Sequence, residues 1–81
     1  MDERRREILN YIGERVKHHR RDLGLSRDEV AKLLGITPRT LAAYERGERE
    51  MSMEMALELA KILRTTLTKL TDYKYIAEMM L

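Results

Sequence analysis

The stretch from Arg27 to Tyr44 constrains the fold of this chain more than any other part of the sequence. It begins with a short helical pattern, in which Val30 and Leu34 lie four residues apart on one face. Gly35 can adopt the positive φ that a sharp turn requires, and Ile36 provides an apolar side chain to fill the corner after it. The pattern predicts a short helix that ends in a tight turn.

A second helix is predicted directly after this turn. Thr37 is a good N-cap residue, and Pro38 suits the first helical position because no amide hydrogen is needed there. Leu41 and Tyr44, three residues apart, return an apolar face to the core. Two short helices joined in this way form a helix-turn-helix, and in DNA-binding proteins the second helix lies in the major groove.

Four short motifs carry a resemblance to a known family. They are Ile12–Val16 (IGERV), Gly24–Ser26 (GLS), Glu29–Ala31 (EVA) and Tyr44–Gly47 (YERG). With the spacing between them, residues 12–70 resemble the phage-repressor (Cro-like, XRE) helix-turn-helix family. The resemblance implies a compact all-α, repressor-like DNA-binding domain of five or six helices, with helices 2 and 3 as the helix-turn-helix. Family members of this length include phage repressors, controller proteins of restriction–modification systems and small antitoxin-like regulators.

Length and composition limit the class of protein. The 81 residues predict a single domain over residues 1–81. A domain this small buries only about 60% of its unfolded surface, which favours self-association. The sequence has no cysteine, so disulfides, thiolate metal sites and cysteine nucleophiles are excluded. It shows no signal-peptide pattern and no apolar run near the ~20 residues that span a bilayer. We therefore expect a cytoplasmic protein without a membrane partner.

Charge is distributed unevenly along the chain. The formal net charge is only +2, which is low for a nucleic-acid-binding domain. Residues 51–81 carry four basic and four acidic side chains, so the excess of positive charge lies in residues 1–50, together with the helix-turn-helix. The low total charge keeps a protein-interaction module open as an alternative.

The first helix is predicted from about residue 3 to Leu23. Its apolar stripe consists of Leu9, Ile12, Val16 and Leu23. The run Arg4–Arg6 could instead reach DNA as a basic arm. However, acidic neighbours nearly cancel its charge and the helical pattern continues after it, which favours a longer first helix with a solvated face.

Polar capping residues predict where the other helices begin. Helix 2 should follow Ser26, which forms a capping box with Glu29, and helix 3 should run from about Pro38 to Glu45. Helices 4 and 5 should follow Ser52 and Thr66. The residues predicted to be buried on helix 4 are Met53, Ala56, Leu57, Ala60 and Leu63, and helix 5 carries Leu67 and Leu70. The spacing of Tyr73, Ile76, Ala77 and Met80 suggests one more amphipathic helix.

The residues expected to read DNA lie on helix 3. A helix in the major groove presents its N-terminal side chains to base edges, and the candidates for base contact are Thr37, Pro38, Arg39, Ala42 and Ala43. Arg39 is the strongest reader, because an arginine can bond a guanine bidentately for about 1–3 kcal/mol of discrimination. Alanines can contact only thymine methyl groups or sugars.

A second set of residues is expected to contact the DNA backbone. In the family, the residue at the Arg27 position is typically a glutamine that bonds a phosphate, and arginine can do the same. The predicted phosphate contacts are Arg27, Lys32, Thr40, Arg46 and Arg49. The alternative is an ordinary charged surface, because 37% of the residues are charged.

The resemblance also implies a structural ion pair. In the family, an arginine late in helix 1 pairs with the glutamate that follows the recognition helix, and these positions are Arg20 and Glu45 here. Breaking one partner of a buried pair costs about 3–5 kcal/mol. Substitution of Glu45 by alanine should therefore reduce stability before it reduces specificity.

Catalysis and metal binding are not expected. The sequence has no nucleophile–base set, paired carboxylate cleft, glycine-rich phosphate loop or metal-ligand cluster. His18 and His19 are adjacent, so on a helix they point about 100° apart and cannot chelate one metal ion. We predict no enzyme activity, no metal, no cofactor and no small-molecule ligand.

These observations favour a sequence-specific regulator of transcription that binds double-stranded DNA as a homodimer on an inverted-repeat operator. The dimer surface expected from the C-terminal apolar stripe, and from the way family members pair, comprises Leu67, Leu70, Tyr73, Ile76, Ala77, Met80 and Leu81. The alternative for residues 71–81 is that they fold back on their own core. The alternative function is a protein-interaction module or an antitoxin-like partner protein on the same scaffold.

Overall fold

A computed structural model describes residues 3–72, 74, 77 and 78 of the chain. Over this part the structure consists of helices and contains no strand, which confirms the predicted all-α class. Five helices have described bounds: α1 (Glu3–Asp22), α2 (Arg27–Leu34), α3 (Pro38–Glu45), α4 (Met53–Ile62) and α5 (Leu67–Thr71). Residues 74, 77 and 78 are also helical.

Four helices begin at the hydroxyl-bearing residues that the sequence identified as caps. The side chains of Ser26, Thr37, Ser52 and Thr66 each accept a hydrogen bond from the amide three residues later, at 3.0–3.1 Å. Each bond satisfies an amide that has no partner within its helix. The capping box of α2 is complete, because the Glu29 side chain also accepts from the Ser26 amide at 3.1 Å.

The turn between α2 and α3 depends on Gly35. This residue adopts φ +72°, a left-handed conformation that glycine enters without steric cost. The reversal lets the Ile36 amide donate to the Ala31 carbonyl at 3.0 Å, which closes the end of α2. Pro38 then occupies the first turn of α3, as predicted.

One apolar core joins all five helices. Val16, Val30, Leu41, Leu59 and Leu70 each contribute a side chain with no exposed area. Because every helix supplies at least one of these residues, the packing fixes α2 and α3 on the rest of the domain as a unit.

Three residues that the sequence predicted to be buried are exposed instead. Leu23 is 40% exposed and lies just beyond the end of α1, which stops at Asp22. Met53 and Leu57 are 66% and 51% exposed, because α4 turns Leu59 and Ala60 toward the core. Helix α4 has apolar residues on most of its circumference, so their spacing alone did not specify the buried face.

The first helix includes the arginine run. Arg4–Arg6 lie within α1 and are exposed, and Arg5 forms an ion pair with Glu50. The structure therefore confirms the longer first helix over the basic arm.

Helix α5 is held against α1 by polar contacts at its C-terminal end. Arg15 Nε donates to the Leu70 carbonyl at 3.2 Å, and the Arg15 guanidinium also donates to the Lys69 carbonyl. The Tyr11 hydroxyl donates to the Asp72 carboxylate at 2.7 Å. The two Arg15 bonds satisfy carbonyls that the end of a helix leaves open.

Most of the predicted C-terminal amphipathic helix lies outside the described residues. The undescribed apolar positions are Tyr73, Ile76, Met80 and Leu81. Of its apolar positions the structure describes Ala77, which is helical and half-buried.

Candidate nucleic-acid interface

The N-terminal end of α3 presents an exposed polar surface. Thr37, Pro38 and Arg39 are all exposed there. Their position follows from the local sequence, because the Gly35 turn and the Thr37 cap set where α3 begins and Leu41 anchors it in the core. Arg39 therefore stands on a rigid helix with its side chain in solvent, as a base-reading residue requires.

The two alanines of α3 differ in exposure. Ala43 is half-buried, whereas Ala42 is only 9% exposed and belongs to the buried side of the helix. The structure therefore leaves Ala42 little surface for the base contact expected from the sequence.

Thr40 is joined to the cap of its own helix. Its hydroxyl oxygen lies 3.0 Å from the Thr37 hydroxyl oxygen, within hydrogen-bond distance. The Thr40 amide also donates to the Thr37 hydroxyl at 3.1 Å. The Thr40 side chain is therefore ordered by its own helix, and it is half-buried.

A buried carboxylate lies behind this surface at the end of α3. Glu45 is 2% exposed, and the two oxygens of its side chain accept hydrogen bonds from Arg20: Nε at 2.7 Å to Oε2 and Nη2 at 3.2 Å to Oε1. Arg20 is 6% exposed, so the pair is largely shielded from solvent. The structure thus places together the two residues expected to form the structural ion pair, and they join α1 to α3.

Arg27 forms a third part of the same cluster. Its Nε donates to Glu45 Oε1 at 2.8 Å, while 36% of its side chain remains exposed. The sequence suggested Arg27 only as a phosphate contact and missed this bond. The sequence could not predict this bond, because it depends on the fold, which brings the first residue of α2 to the end of α3. There the second oxygen of Glu45 can accept from Arg27.

The charge of Glu45 is maintained by these partners. Burial alone raises the pKa of its carboxyl group, but the hydrogen bonds and positive charges of Arg20 and Arg27 outweigh burial and hold the pKa below its ordinary value. Glu45 is therefore an ionised acceptor for both arginines.

The other predicted phosphate contacts lie on exposed surface. Lys32 is exposed in the last turn of α2. Arg46 lies 3.8 Å from Glu48 in an exposed ion pair, and the Arg49 guanidinium lies 5.9 Å from the centre of the Tyr44 ring. An exposed pair at that distance holds a side chain weakly, so Arg46 can turn toward another anion.

The residues predicted to form the dimer surface differ in their exposure. Leu67 and Ala77 are half-buried and offer part of their surface. Leu70 has no exposed area and packs in the core, so it cannot contact a second molecule, contrary to expectation. The remaining members of the set (Tyr73, Ile76, Met80 and Leu81) lie outside the described residues.

An apolar groove that the sequence did not predict lies between the N-terminal half of α1 and the start of α4. Its volume is about 610 Å³, and Leu67 of α5 contributes to its lining. Its main apolar residues are Ile8, Leu9, Ile12, Met51, Met53 and Ala56. Met53, which is 66% exposed, lies on the wall of this groove.

Among the described residues, no cluster of histidine, aspartate or glutamate side chains could hold a metal ion. Over the same part of the chain, no helix is both long and apolar enough to cross a bilayer.

Comparisons with known proteins agree with the helix-turn-helix formed by α2 and α3. The helix-turn-helix family model matches residues 16–70, so the chain belongs to the helix-turn-helix family of the XRE type. A protein of Saccharolobus solfataricus named as an HTH-type transcriptional regulatory protein is 40% identical over 53 residues. This match covers 65% of the chain and 16% of the relative, so the chain spans a small part of the curated relatives that it matches.

Two solved structures show the same fold. The restriction–modification controller protein C.AhdI from Aeromonas hydrophila aligns with a TM-score of 0.73 and 32% identity, over 76% of this chain and 94% of that protein. The clp gene regulator ClgR from Corynebacterium glutamicum aligns with a TM-score of 0.79 and 22% identity, over 88% of this chain and 78% of that one. The Saccharolobus relative is named as a transcriptional regulatory protein, and the two solved proteins are named as a controller protein and a gene regulator.

Proposed function

We propose that this chain binds double-stranded DNA in a sequence-specific manner as a homodimer on an inverted-repeat operator, and thereby regulates transcription. The observation that carries the proposal is the exposed N-terminal end of α3, where Arg39 stands in solvent on a helix anchored by Leu41 and Glu45. In a helix-turn-helix this end of the second helix enters the major groove.

Base reading is assigned mainly to Arg39, with Thr37, Pro38 and Ala43 as its neighbours. An arginine that bonds both acceptors of a guanine provides about 1–3 kcal/mol of discrimination against other bases. Ala43 has a small apolar surface suited to a thymine methyl group. Ala42 contributes little because it is 9% exposed.

Phosphate contacts are assigned to Arg27, Lys32, Thr40, Arg46 and Arg49. Their role is to set the position and orientation of α3 on the duplex, since contacts to the DNA backbone carry no direct sequence information. Each cationic contact should increase the dependence of affinity on salt, because it displaces condensed counterions.

The homodimer is assigned to the C-terminal surface formed by Leu67, Tyr73, Ile76, Ala77, Met80 and Leu81. Leu70 is omitted because it is a core residue. Leu67 also lines the apolar groove between α1 and α4, and a second copy of the chain would cover that groove. A two-fold axis would place the α3 helices on half-sites about 34 Å, or ~10 base pairs, apart.

A protein-interaction role on the same scaffold is the second candidate. It is favoured by the net charge of only +2 and by the 65% exposure of the apolar Leu33 on α2. Salt separates the two functions, because DNA binding should weaken by orders of magnitude between ~50 and ~200 mM salt if several phosphates are contacted.

The testing experiment is selection of binding sites from a random pool of duplex DNA, followed by sequencing. We expect a two-fold symmetric site to be enriched. Arg39→Ala should lose preference at one position in each half-site, by roughly 10- to 100-fold. Arg46→Ala is the matched control, since loss of a phosphate contact should weaken all sequences alike. No enrichment at low salt would contradict the proposal and favour the protein-interaction role.

A further inference from the structure

We propose that Glu45 is a positioning residue for DNA binding, which holds the Arg27 guanidinium in the orientation that meets a backbone phosphate. The inference rests on the proposed function, because it assigns a role to a buried residue behind the same interface. Glu45 itself would not touch DNA, since it is 2% exposed.

The bond between Glu45 and Arg27 uses only one edge of the guanidinium. Arg27 donates through Nε, at 2.8 Å to Glu45 Oε1. Its two terminal nitrogens make no hydrogen bond within the described part of the chain, and 36% of the side chain is exposed. An arginine fork can donate to two anions at once because its donors lie in one rigid plane. The free edge is therefore available to a phosphate while Nε stays bound.

The Glu45 carboxylate that binds Arg27 is itself held in place by Arg20. Arg20 donates to both oxygens of Glu45 and also, through Nη1, to the Leu25 carbonyl at 2.8 Å. Leu25 lies two residues before Arg27, in the loop that leads into α2. Arg20 therefore fixes both the Glu45 carboxylate and the backbone just before Arg27. The Arg27 side chain is held at its backbone end by this loop and at its guanidinium end by Glu45.

Holding Arg27 in place before DNA binds should raise the affinity for DNA. A surface arginine normally loses side-chain freedom when it binds a phosphate, and this loss weakens binding by about 2- to 10-fold per side chain. For Arg27 most of that ordering is already present in the free protein. Glu45 should therefore tighten DNA binding, although its own charge repels the duplex.

The Glu45→Gln variant distinguishes positioning from a simple charge effect by the direction in which its DNA affinity changes. Glu45→Gln removes one negative charge near the DNA-binding surface, so a simple count of charges predicts tighter binding. Positioning predicts the opposite, because the neutral amide holds Arg27 less firmly. We expect Glu45→Gln to bind about 2- to 10-fold more weakly than the unmodified chain.

The probe is a fluorescein-labelled duplex of random sequence, since phosphate contacts do not depend on sequence. Affinity is measured by fluorescence anisotropy across a series of salt concentrations, and circular dichroism at the same temperature establishes that each variant is folded. Arg27→Lys retains the charge but lacks the planar fork, so it should also bind about 2- to 10-fold more weakly. Arg64→Lys is the matched control and should change affinity little, because Arg64 is exposed beyond the end of α4 and lies outside the assigned DNA contacts.

A double-variant measurement separates positioning from general damage. If Glu45 acts through Arg27, adding Glu45→Gln to Arg27→Ala should weaken binding no further. Tighter binding by Glu45→Gln, or unchanged binding by Arg27→Lys, would overturn the inference while leaving the proposed function intact. Absence of salt-dependent binding by the unmodified chain would instead overturn the proposed function.

Discussion

Gly13 of α1 lies directly against Glu45 at the end of α3, so closely that a Cβ atom on residue 13 would be 2.5 Å from the Glu45 carbonyl oxygen. The same atom would lie 2.5 Å from the Tyr44 carbonyl oxygen. Backbone oxygens cannot rotate away as a side chain can. The absence of a side chain at Gly13 therefore permits the close approach of the two helices and allows Arg20, two turns later on α1, to reach Glu45.

Gly13→Ala should destabilise the domain although alanine is the better helix former. Helix propensity favours alanine by about 1 kcal/mol, but insertion of a methyl group against fixed backbone typically costs about 1–3 kcal/mol or more. We expect a net loss in the free energy of unfolding, measured by urea denaturation. Glu14→Ala, at an exposed position of the same helix, is the control and should change stability by less than ~0.5 kcal/mol. A variant at Gly13 as stable as the control would show that α1 and α3 are not in this contact.

The two arginines bound to Glu45 should contribute unequally to stability. The Arg20 side chain is 8% exposed and that of Arg27 is 36% exposed. Arg20→Ala leaves a buried carboxylate with one partly solvated partner and should cost about 3–5 kcal/mol. Arg27→Ala leaves the Arg20 bonds intact and should cost about 1 kcal/mol. Thermal or urea unfolding of both variants measures the difference, and equal losses would contradict a cluster centred on Arg20 and Glu45.

Acid should destabilise the domain through Glu45. The pKa of this carboxyl group is held below its ordinary value of 4.5, since the two arginines outweigh the effect of burial. A lowered pKa in the folded state means that the ionised group adds stability above pH 4.5. That contribution is lost as the pH falls from there through the folded-state pKa.

Urea unfolding from about pH 7 to about pH 3 tests this sign. The free energy of unfolding should fall with acid in the unmodified chain and fall less steeply in Glu45→Gln, which has already lost the charge. Some acid dependence should remain, because hydrogen bonds with Ser26 also lower the pKa of Glu29. Identical slopes in the two proteins would exclude Glu45 as a source of the acid effect.

Local chemistry explains why the helix limits could be predicted. The caps at Ser26, Thr37, Ser52 and Thr66 act within four residues of the chain, and the Gly35 turn acts within two, so each is visible in the sequence itself. The buried face of α4 could not be predicted in the same way. Apolar residues surround that helix, and only its packing within the core selects Leu59 over Leu57.

In the candidate site, too, features set by local sequence could be predicted and features set by helix packing could not. The position of Arg39 follows from where α3 begins, so the sequence was sufficient to predict it. The bond from Arg27 to Glu45 joins residues 18 positions apart and depends on the angle between α2 and α3, which no spacing pattern encodes. The groove beside α4 was missed for the same reason, since α1 and α4 form its walls.

Substitutions at Leu67 and Leu70 should affect different properties: dimer formation at Leu67 and folding stability at Leu70. Leu67 is half-buried, lines the apolar groove and belongs to the proposed dimer surface, whereas Leu70 has no exposed area. Leu67→Glu places a charge in the proposed interface and should convert the dimer to a folded monomer. Leu70→Ala instead leaves a cavity in the core and should cost about 2–5 kcal/mol of folding stability.

Sedimentation velocity over a range of concentrations, together with circular dichroism, distinguishes these effects. We expect Leu67→Glu to retain its helical signal while its sedimentation coefficient falls to that of a monomer. Thr68→Glu, an exposed substitution on the same helix, controls for the added charge and should leave the dimer in place. Because two-fold symmetry is what pairs the half-sites, the monomeric variant should also lose preference for an inverted repeat over a single half-site. A Leu67→Glu variant that still sediments as a dimer would place the interface elsewhere on the molecule.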